Sequence, residues 1–196
     1  MLDNIQHYNI ILGSKSPRRQ ELLSLLGLNF KVKGIDCDES VPKTLSNSED
    51  IVVYLSQKKA KAYGVISDNT ILITADTVVD LDGQILEKPS NIEHAKIMLK
   101  SLSNTSHTVK TGVSITTSQE TISFVDSSEV RFTQIDDQEI DYYLRTAPPL
   151  DKAGAYGIQE WIGAAFIENI KGSYNNVVGL PTEKLYKHLK MLGISS

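Results

Sequence analysis

Cysteine is nearly absent from this chain of 196 residues, which contains Cys37 alone. A single cysteine forms no intrachain disulfide, and the paired Cys/His spacing of a zinc site is missing as well. No ligand-like spacing and no Ser-His-Asp order stands out among the histidines, which are His7, His94, His107 and His188. Low cysteine content is typical of a reducing compartment, so we expect a cytoplasmic protein.

Basic excess and long apolar runs are also lacking. The chain has 20 Lys and Arg against 24 Asp and Glu, a net charge of −4, whereas a nucleic-acid-binding surface shows a basic face. Its apolar runs are far shorter than the roughly 20 residues of a membrane-spanning helix, and Met1–Gln6 lacks the basic segment of a signal peptide. We therefore expect no nucleic-acid partner and no membrane partner, although a local basic pocket is compatible with this composition.

The rest of the composition is that of a globular protein. Hydrophobic residues make up 40% and charged residues 22% of the chain, which excludes a disordered protein. A chain of this length buries a sizeable core without help from a disulfide or a structural metal. We find no internal repeat or low-complexity linker, so we predict a single domain over residues 1–196, either undivided or with two lobes around a cleft.

The pattern at the start of the chain predicts a strand, a tight loop and a helix. Tyr8–Leu12 is a short apolar run bounded by Gly13, which is typical of a buried strand. Ser16 is a suitable N-cap and Pro17 a suitable first helical residue. This order of elements is typical of an α/β fold.

Later segments carry hairpin signals instead. Asp82-Gly83 separates two β-forming runs and predicts a tight hairpin turn. Ser90 and Glu93 have the spacing of a capping box for a following helix. His107–Thr133 predicts two long strands, and Ala164–Ile170 predicts a final strand. Because strand–helix units and hairpins both occur, we predict a mixed sheet with flanking helices.

The loop after the first strand is a candidate phosphate site. It carries Ser14, Ser16, Arg18 and Arg19 at the start of the predicted helix. Backbone N–H groups and the helix dipole favour an anion there, and arginine makes forked contacts to phosphate. An N-capping serine followed by two solvated arginines explains the same residues, so both interpretations stay open.

Asp76 interrupts the β-forming residues that surround it. A buried, unpaired carboxylate is costly, so we expect Asp76 at a strand end, at a bulge or in a functional site. Near cationic groups it can hold a metal ion or accept a proton from water. An outward-facing aspartate at a strand junction is an equally good interpretation.

Three further polar residues are individually weak candidates. Lys59 has lysine neighbours in a predicted helix, where a solvated face is the default interpretation. Lys88 follows the hairpin strand, and Glu39 lies in an acidic loop, where a lone carboxylate is usually solvated.

The segment Asp151–Gln159 is rich in small residues. Its glycines suggest close backbone approach to a ligand, and the amide of Gln159 offers a donor and an acceptor that can match a nucleobase edge. A turn-rich loop with an exposed glutamine is the alternative.

Taken together and in order, these segments resemble the Maf family. The resemblance covers nearly the whole chain, from about Ile10 to Leu189. It is carried by Ser14–Leu23, Asp38-Glu39-Ser40, Leu55-x-x-x-Lys59-Ala60, Ala75–Val79, Glu87-Lys88-Pro89, His107–Val113, Asp151–Gln159 and Gly172–Pro181.

The resemblance implies a fold similar to that of inosine triphosphate pyrophosphatase, with a mixed sheet and two lobes around a central cleft. It implies hydrolysis of a nucleoside triphosphate to the monophosphate and pyrophosphate with a divalent cation, Mg²⁺ or Mn²⁺. The Gly-Ile-Gln stretch resembles the branch that acts on dTTP and UTP. The family's link to septum formation implies an alternative, a nucleotide-binding regulator of cell division, and a homodimer is a family-based expectation.

The family pattern also implies roles for individual residues. Asp76 corresponds to the proton acceptor, and with Glu39 it is expected to hold the metal. The positions expected to bind the substrate are Ser14, Ser16, Arg18, Arg19, Lys59, Thr77, Lys88 and Gln159. Two residues depart from the usual pattern: Gly13 replaces a commoner alanine, and Glu160 replaces the glycine that usually follows the glutamine.

Overall fold

The computed structural model describes residues 2–192 of the chain. The strands are β1 (Asn9–Leu12), β2 (Phe30–Val32), β3 (Thr70–Leu81), β4 (Gln84–Leu86), β5 (Ser106–Thr116), β6 (Thr121–Phe132) and β7 (Ile167–Lys171). The α-helices are α1 (Pro17–Ser24), α2 (Ser48–Tyr63), α3 (Ile92–Leu102), α4 (Asp137–Thr146), α5 (Trp161–Phe166), α6 (Tyr174–Val178) and α7 (Thr182–Met191). Short 3₁₀ helices span Asp3–Ile5 and Ala153–Ala155. Within the described range, no helix combines the length and the apolar character needed to cross a membrane.

Hydrogen bonds join the strands in the order β2-β1-β3-β5-β6-β7, and β4 pairs with β3. Parallel pairs in β1–β2 and β1–β3 combine with antiparallel pairs in β3–β4 and β6–β7. The predicted α/β class with a mixed sheet is therefore confirmed.

The chain divides into two compact units. Among the described residues, unit 1 comprises 2–76, 111–126 and 179–192, and unit 2 comprises Thr77–Lys110 and Ser127–Val178. The long strands β3, β5 and β6 each contribute one part to either unit. The cleft implied by the family resemblance stays a prediction.

In unit 1, the first strand and helix form as the sequence indicates. Strand β1 is parallel to β2 and β3, with Ile10 beside both Phe30 and Ile71. The Ser16 side chain accepts a hydrogen bond from the Arg19 amide, and Pro17 is the first residue of α1. Such a cap satisfies one of the amides that a helix leaves without an internal partner.

Helix α2 packs directly against strand β5 in unit 1. A Cβ atom built on Gly112 would lie 2.4 Å from the carbonyl oxygen of Val52, so only glycine permits this separation. The buried positions of α2 recur at helical spacing and form one face, made of Ser48, Ile51, Val52, Leu55, Ser56, Lys59 and Ala60. This face fixes which side chains of α2 point inward.

In unit 2, the hairpin between β3 and β4 turns at Asp82 and Gly83, whose φ angles of 50° and 87° are both positive. That geometry is typical of the tight turn that Asp-Gly predicts. The hydrophobic core of this unit includes the large buried side chains Leu99, Phe132 and Tyr143.

Two details of the predicted elements are wrong. Asn91, and not Ser90, caps α3, because the Asn91 side chain accepts from the amide of His94. The predicted strand Ala164–Ile170 begins only at Ile167, since helix α5 continues to Phe166. Asn91 supplies the side-chain acceptor at the start of α3, and the amides of Ala164 and Ile167 donate to the carbonyl oxygens of Glu160 and Gly163, which keeps the later segment helical.

His107 is a buried histidine in the core of unit 2. Its Nε2 atom lies 2.7 Å from the hydroxyl oxygen of Tyr156, and its ring packs beside Phe132 and Tyr156. Its Nδ1 atom has no hydrogen-bond partner among the described residues. Burial lowers the pKa of His107 from the ordinary 6.5 to about 4, because the charged ring loses its hydration.

We expect His107 to make stability depend on pH. Between about pH 6.5 and pH 4 the unfolded chain binds a proton at His107 and the folded chain does not, so the free energy of unfolding falls as the pH is lowered. Between pH 7 and pH 5, His107 is expected to lower the free energy of unfolding by about 2 kcal/mol. Urea unfolding of wild type and His107→Gln at both pH values measures it. An equally steep pH dependence in the variant would contradict this assignment.

Candidate active site

Lys59 joins two carboxylates at the centre of unit 1. Its Nζ atom lies 2.5 Å from Oδ1 of Asp76 and 2.9 Å from Oε1 of Glu39. The side chains of Lys59 and Asp76 are 11% and 13% exposed, whereas that of Glu39 is 48% exposed. The structure thus brings together three predicted site residues that are far apart in sequence, and the solvated face expected from the lysine-rich helix is wrong for Lys59.

Hydrogen bonds between α2 and β3 hold Lys59 and Asp76 opposite each other. The hydroxyl of Thr74 donates to the carbonyl oxygen of Ser56 over 2.7 Å. Ser56 precedes Lys59 by about one helical turn, and Thr74 precedes Asp76 by one strand repeat, so each pair shares a face. Asp76 lies inside the continuous strand β3, so the interpretations as a strand end or an outward-facing junction do not hold.

Arg19 ties the first turn of α1 to the strand that carries Asp76. Its Nε atom donates to the carbonyl oxygen of Gly179 over 2.8 Å, and its NH1 atom donates to that of Ala75 over 2.8 Å. Burial lowers the pKa of Arg19, while attraction from Asp76 opposes the shift. The solvated-arginine interpretation is therefore wrong for Arg19, and its predicted contact with substrate stays a prediction.

The serine residues of the loop mainly order its backbone. The Ser14 hydroxyl oxygen accepts from the amide of Ser16 over 3.2 Å and faces the Arg19 guanidinium at 3.5 Å. Arg18 is half-buried and lies close enough to affect the charge of Arg19. Within unit 1, the predicted phosphate loop therefore lies close to the cluster of Lys59, Asp76 and Glu39 (the Lys59 cluster), because the charges of Asp76 and Glu39 act on Arg19.

A second lysine of α2 holds the loop that carries Glu39. The ammonium of Lys58 lies 3.2 Å from a carboxylate oxygen of Asp38 and donates to the carbonyl oxygen of Ser40 over 3.0 Å. Hydrogen bonds from Ser40 and Lys58 lower the pKa of Asp38 to about 2. Lys58 and Lys59 thus anchor neighbouring residues of the same acidic loop.

Unit 2 contains the other predicted site residues. Thr77 is half-buried, whereas Lys88 and Gln159 are exposed. The segment before Gln159 contacts β3 and the residue after β4. A Cβ atom built on Gly154 would lie 2.8 Å from the side chain of Val79, and the Gly154 amide donates to the carbonyl oxygen of Glu87 over 3.2 Å. The strand and loop that carry Thr77 and Lys88 are therefore neighbours of the Asp151–Gln159 segment.

Sequence reasoning missed a polar network beside Gln159. Its members are Tyr143, Lys152 and Glu160: the Tyr143 hydroxyl donates to Glu160, and the Lys152 ammonium lies 3.1 Å from the Glu160 carboxylate. In the sequence, the departure of Glu160 from the family pattern was the feature that indicated this network. The burial of Lys59 was indicated by its place on the inward face of α2.

A surface groove of about 500 Å³ lies elsewhere in unit 1. It is lined by the end of α2, the residues after it and the β5–β6 turn: Gln57, Ala60, Lys61, Gly64, Val65, Ile66, Thr116, Thr117, Ser118 and Thr121. No predicted site residue lines it, so we assign the groove no part in the phosphate chemistry.

The chain is similar to known members of one protein family. The model of the family described as "Maf-like protein" matches residues 9–192. The chain is 50% identical over 200 residues to the dTTP/UTP pyrophosphatase of Porphyromonas gingivalis, covering 100% of both chains. It is 49% identical over 194 residues to the protein of that name from Bacteroides thetaiotaomicron, covering 98% of this chain and 100% of the relative.

A third relative, the dTTP/UTP pyrophosphatase of Flavobacterium psychrophilum, is 47% identical over 185 residues, with 94% of each chain covered. These three relatives cover 94–100% of this chain, so the similarity extends over nearly all of the described fold. The match to the family model and these relatives show that the chain belongs to the Maf family.

Proposed function

We propose that this protein hydrolyses dTTP and UTP to the monophosphate and pyrophosphate. The relatives that share about half of its residues bear the name of that activity. The single observation that carries the proposal is the Lys59 ammonium between the carboxylates of Asp76 and Glu39. We also propose that residues 1–196 form one Maf domain, that its compartment is the cytoplasm, and that it can form a homodimer.

We assign the phosphate chemistry to unit 1. A triphosphate carries several negative charges, which Lys59 and Arg18 can neutralise. Water attacks the α-phosphorus, its proton passes to the Asp76 carboxylate, and the bond to the bridging oxygen breaks so that pyrophosphate leaves. Arg19 holds the backbone before Asp76 through the carbonyl oxygen of Ala75. In unit 2, we propose Thr77 and Lys88 as further substrate-binding residues.

The carboxylates of Asp76 and Glu39 fit a divalent cation. Mg²⁺ is usually bound by one or two carboxylates together with substrate phosphates, and these two groups share one ammonium. A bound Mg²⁺ or Mn²⁺ would withdraw charge from the phosphates. Among residues 2–192, no group of three or more His, Cys, Asp or Glu side chains is arranged to hold a metal.

A regulator that only binds nucleotides is the less favoured alternative. A binder of a polyanion gains nothing from placing Asp76 and Glu39 on its buried cation, because both carboxylates repel phosphate. The same carboxylates are required by a hydrolase. The Lys59 cluster therefore favours catalysis over binding alone.

Asp76→Asn is expected to lower kcat for UTP at least 100-fold, because general-base catalysis contributes about 10²–10⁴. The substitution is nearly isosteric, and Lys59 keeps Glu39 as an ionic partner, so the melting temperature is expected to stay within a few degrees. Pyrophosphate release under steady-state conditions measures the effect. Asp68→Asn, at an exposed aspartate before β3, is the matched control, and a nearly active Asp76→Asn enzyme would refute the role of Asp76.

Removal of divalent cations with excess chelator is expected to abolish turnover, and added Mg²⁺ or Mn²⁺ to restore it. Glu39→Gln is expected to raise the cation concentration needed for half-maximal rate roughly tenfold, as loss of a ligand or its support costs metal affinity. Titration of the rate with Mg²⁺ measures this. Glu120→Gln, at an exposed turn residue, is expected to titrate like wild type. Full activity in chelator would show that the carboxylates work without a metal.

Gln159→Ala is expected to reduce the preference for UTP and dTTP over CTP. The glutamine amide matches the N3–H donor and a neighbouring carbonyl acceptor of uracil or thymine, whereas N3 of cytosine is an acceptor, which leaves a polar atom unpaired at roughly 1–3 kcal/mol. We expect a tenfold to hundredfold fall in the UTP:CTP ratio of kcat/KM, about the range of that penalty. Arg18→Ala is expected to slow all substrates alike. The control is Gln119→Ala, at an exposed glutamine. An unchanged ranking of the substrates by kcat/KM in Gln159→Ala would exclude Gln159 as the residue that recognises the base.

A further inference from the structure

Gln159 lies in a four-residue turn whose two ends meet at one tyrosine hydroxyl. The Glu160 amide donates to the carbonyl oxygen of Gly157 over 3.0 Å, which closes the turn. The Tyr143 hydroxyl oxygen accepts from the Gly157 amide over 3.2 Å, and the same hydroxyl donates to the Glu160 carboxylate over 2.5 Å. One side chain of α4 therefore holds both ends of the turn that carries Gln159.

The hydroxyl of Tyr143 is suited to this double role. Tyr143 is fully buried, and burial together with the hydrogen bond to Glu160 raises the pKa of Tyr143 well above its ordinary value. The hydroxyl therefore keeps its proton and remains a donor to Glu160 at every working pH.

Lys152 balances the charge of Glu160. The Lys152 side chain is 10% exposed and its ammonium contacts both Glu160, at 3.1 Å, and Asp151, at 2.9 Å. An isolated carboxylate next to Gln159 would repel an anionic substrate. The ion pair removes much of that repulsion while leaving the second carboxylate oxygen of Glu160 for Tyr143.

The residues around Gln159 restrict the turn further. Ile158 and Ile162 are buried in the core of unit 2. A Cβ atom built on Gly163 would lie 2.0 Å from the carbonyl oxygen of Ile158, so the backbone on the two sides of the turn is in close contact. Gln159 itself is exposed, which leaves its amide accessible from a rigid backbone.

We propose that Glu160 is a positioning residue that, with Tyr143 and Lys152, fixes the turn so that the Gln159 amide meets the pyrimidine edge in one orientation. Discrimination of uracil and thymine against cytosine then depends on Glu160, although Glu160 itself does not contact the base. This inference rests on the proposed role of Gln159 in base recognition.

The test compares Glu160→Ala with Glu160→Gln. The glutamine carbonyl still accepts from the Tyr143 hydroxyl, and Lys152 keeps Asp151 as its ionic partner, whereas alanine removes the contact with Tyr143. We expect Glu160→Ala to lower the UTP:CTP ratio of kcat/KM at least fivefold, chiefly through a higher KM for UTP, and Glu160→Gln to stay within twofold of wild type. The control is Glu168→Ala, at an exposed glutamate of β7, which is expected to leave the ratio unchanged.

Exchange of the Gly157 amide with deuterated solvent, followed by NMR, tests the network without any substrate. We expect exchange at least tenfold faster in Glu160→Ala, and near the wild-type rate in Glu160→Gln. Unchanged exchange in Glu160→Ala would overturn the proposal, and so would equal loss of the UTP:CTP ratio in both variants.

Failure of the proposed function gives a different result. If the wild-type protein does not distinguish UTP from CTP, the role in base discrimination is overturned together with the role of Gln159. Faster Gly157 exchange in Glu160→Ala alone would then show that the network orders the turn without acting in base discrimination. If wild type discriminates and Glu160→Ala retains the full ratio, only the positioning role of Glu160 is wrong.

Discussion

The contact between the Lys59 ammonium and the carboxylates of Asp76 and Glu39 is the interaction on which unit 1 depends. An ammonium this deeply buried loses most of its hydration, and an unpaired charge there would cost several kcal/mol. Two carboxylates offset that cost only if helix α2, strand β3 and the acidic loop keep their places. The hydrogen bond from Thr74 to Ser56, the Gly112 contact with α2 and the Lys58 anchor of the loop meet that requirement.

Arg19 extends the arrangement around Asp76. Arg19 uses its guanidinium to hold the carbonyl oxygens of Ala75 and Gly179, so it stabilises the backbone next to Asp76 as well as adding positive charge. Under the proposed function, these cations attract phosphate locally in a protein whose net charge is −4. The carboxylates beside them are the reason that we propose a hydrolytic site and not one that only binds an anion.

Local patterns predict much of the fold because they depend on neighbouring residues. The cap at Ser16 and the turn at Asp82-Gly83 follow from short-range chemistry. Asp76 is conspicuous in the sequence, but its position within a continuous strand depends on pairing with distant strands. Burial of Lys59 and the contacts of Glu160 likewise arise from tertiary packing, and only the helical spacing of Lys59 and the unusual identity of Glu160 point to them.

Hydrolysis of UTP in ¹⁸O-labelled water, with the products followed by ³¹P NMR and mass spectrometry, tests the central claim most directly. The proposed chemistry requires water to attack the α-phosphorus, so UMP should carry one ¹⁸O atom on its phosphate and pyrophosphate should carry none. Label in the pyrophosphate, or release of UDP and inorganic phosphate, would place the attack on another phosphorus atom and contradict the account.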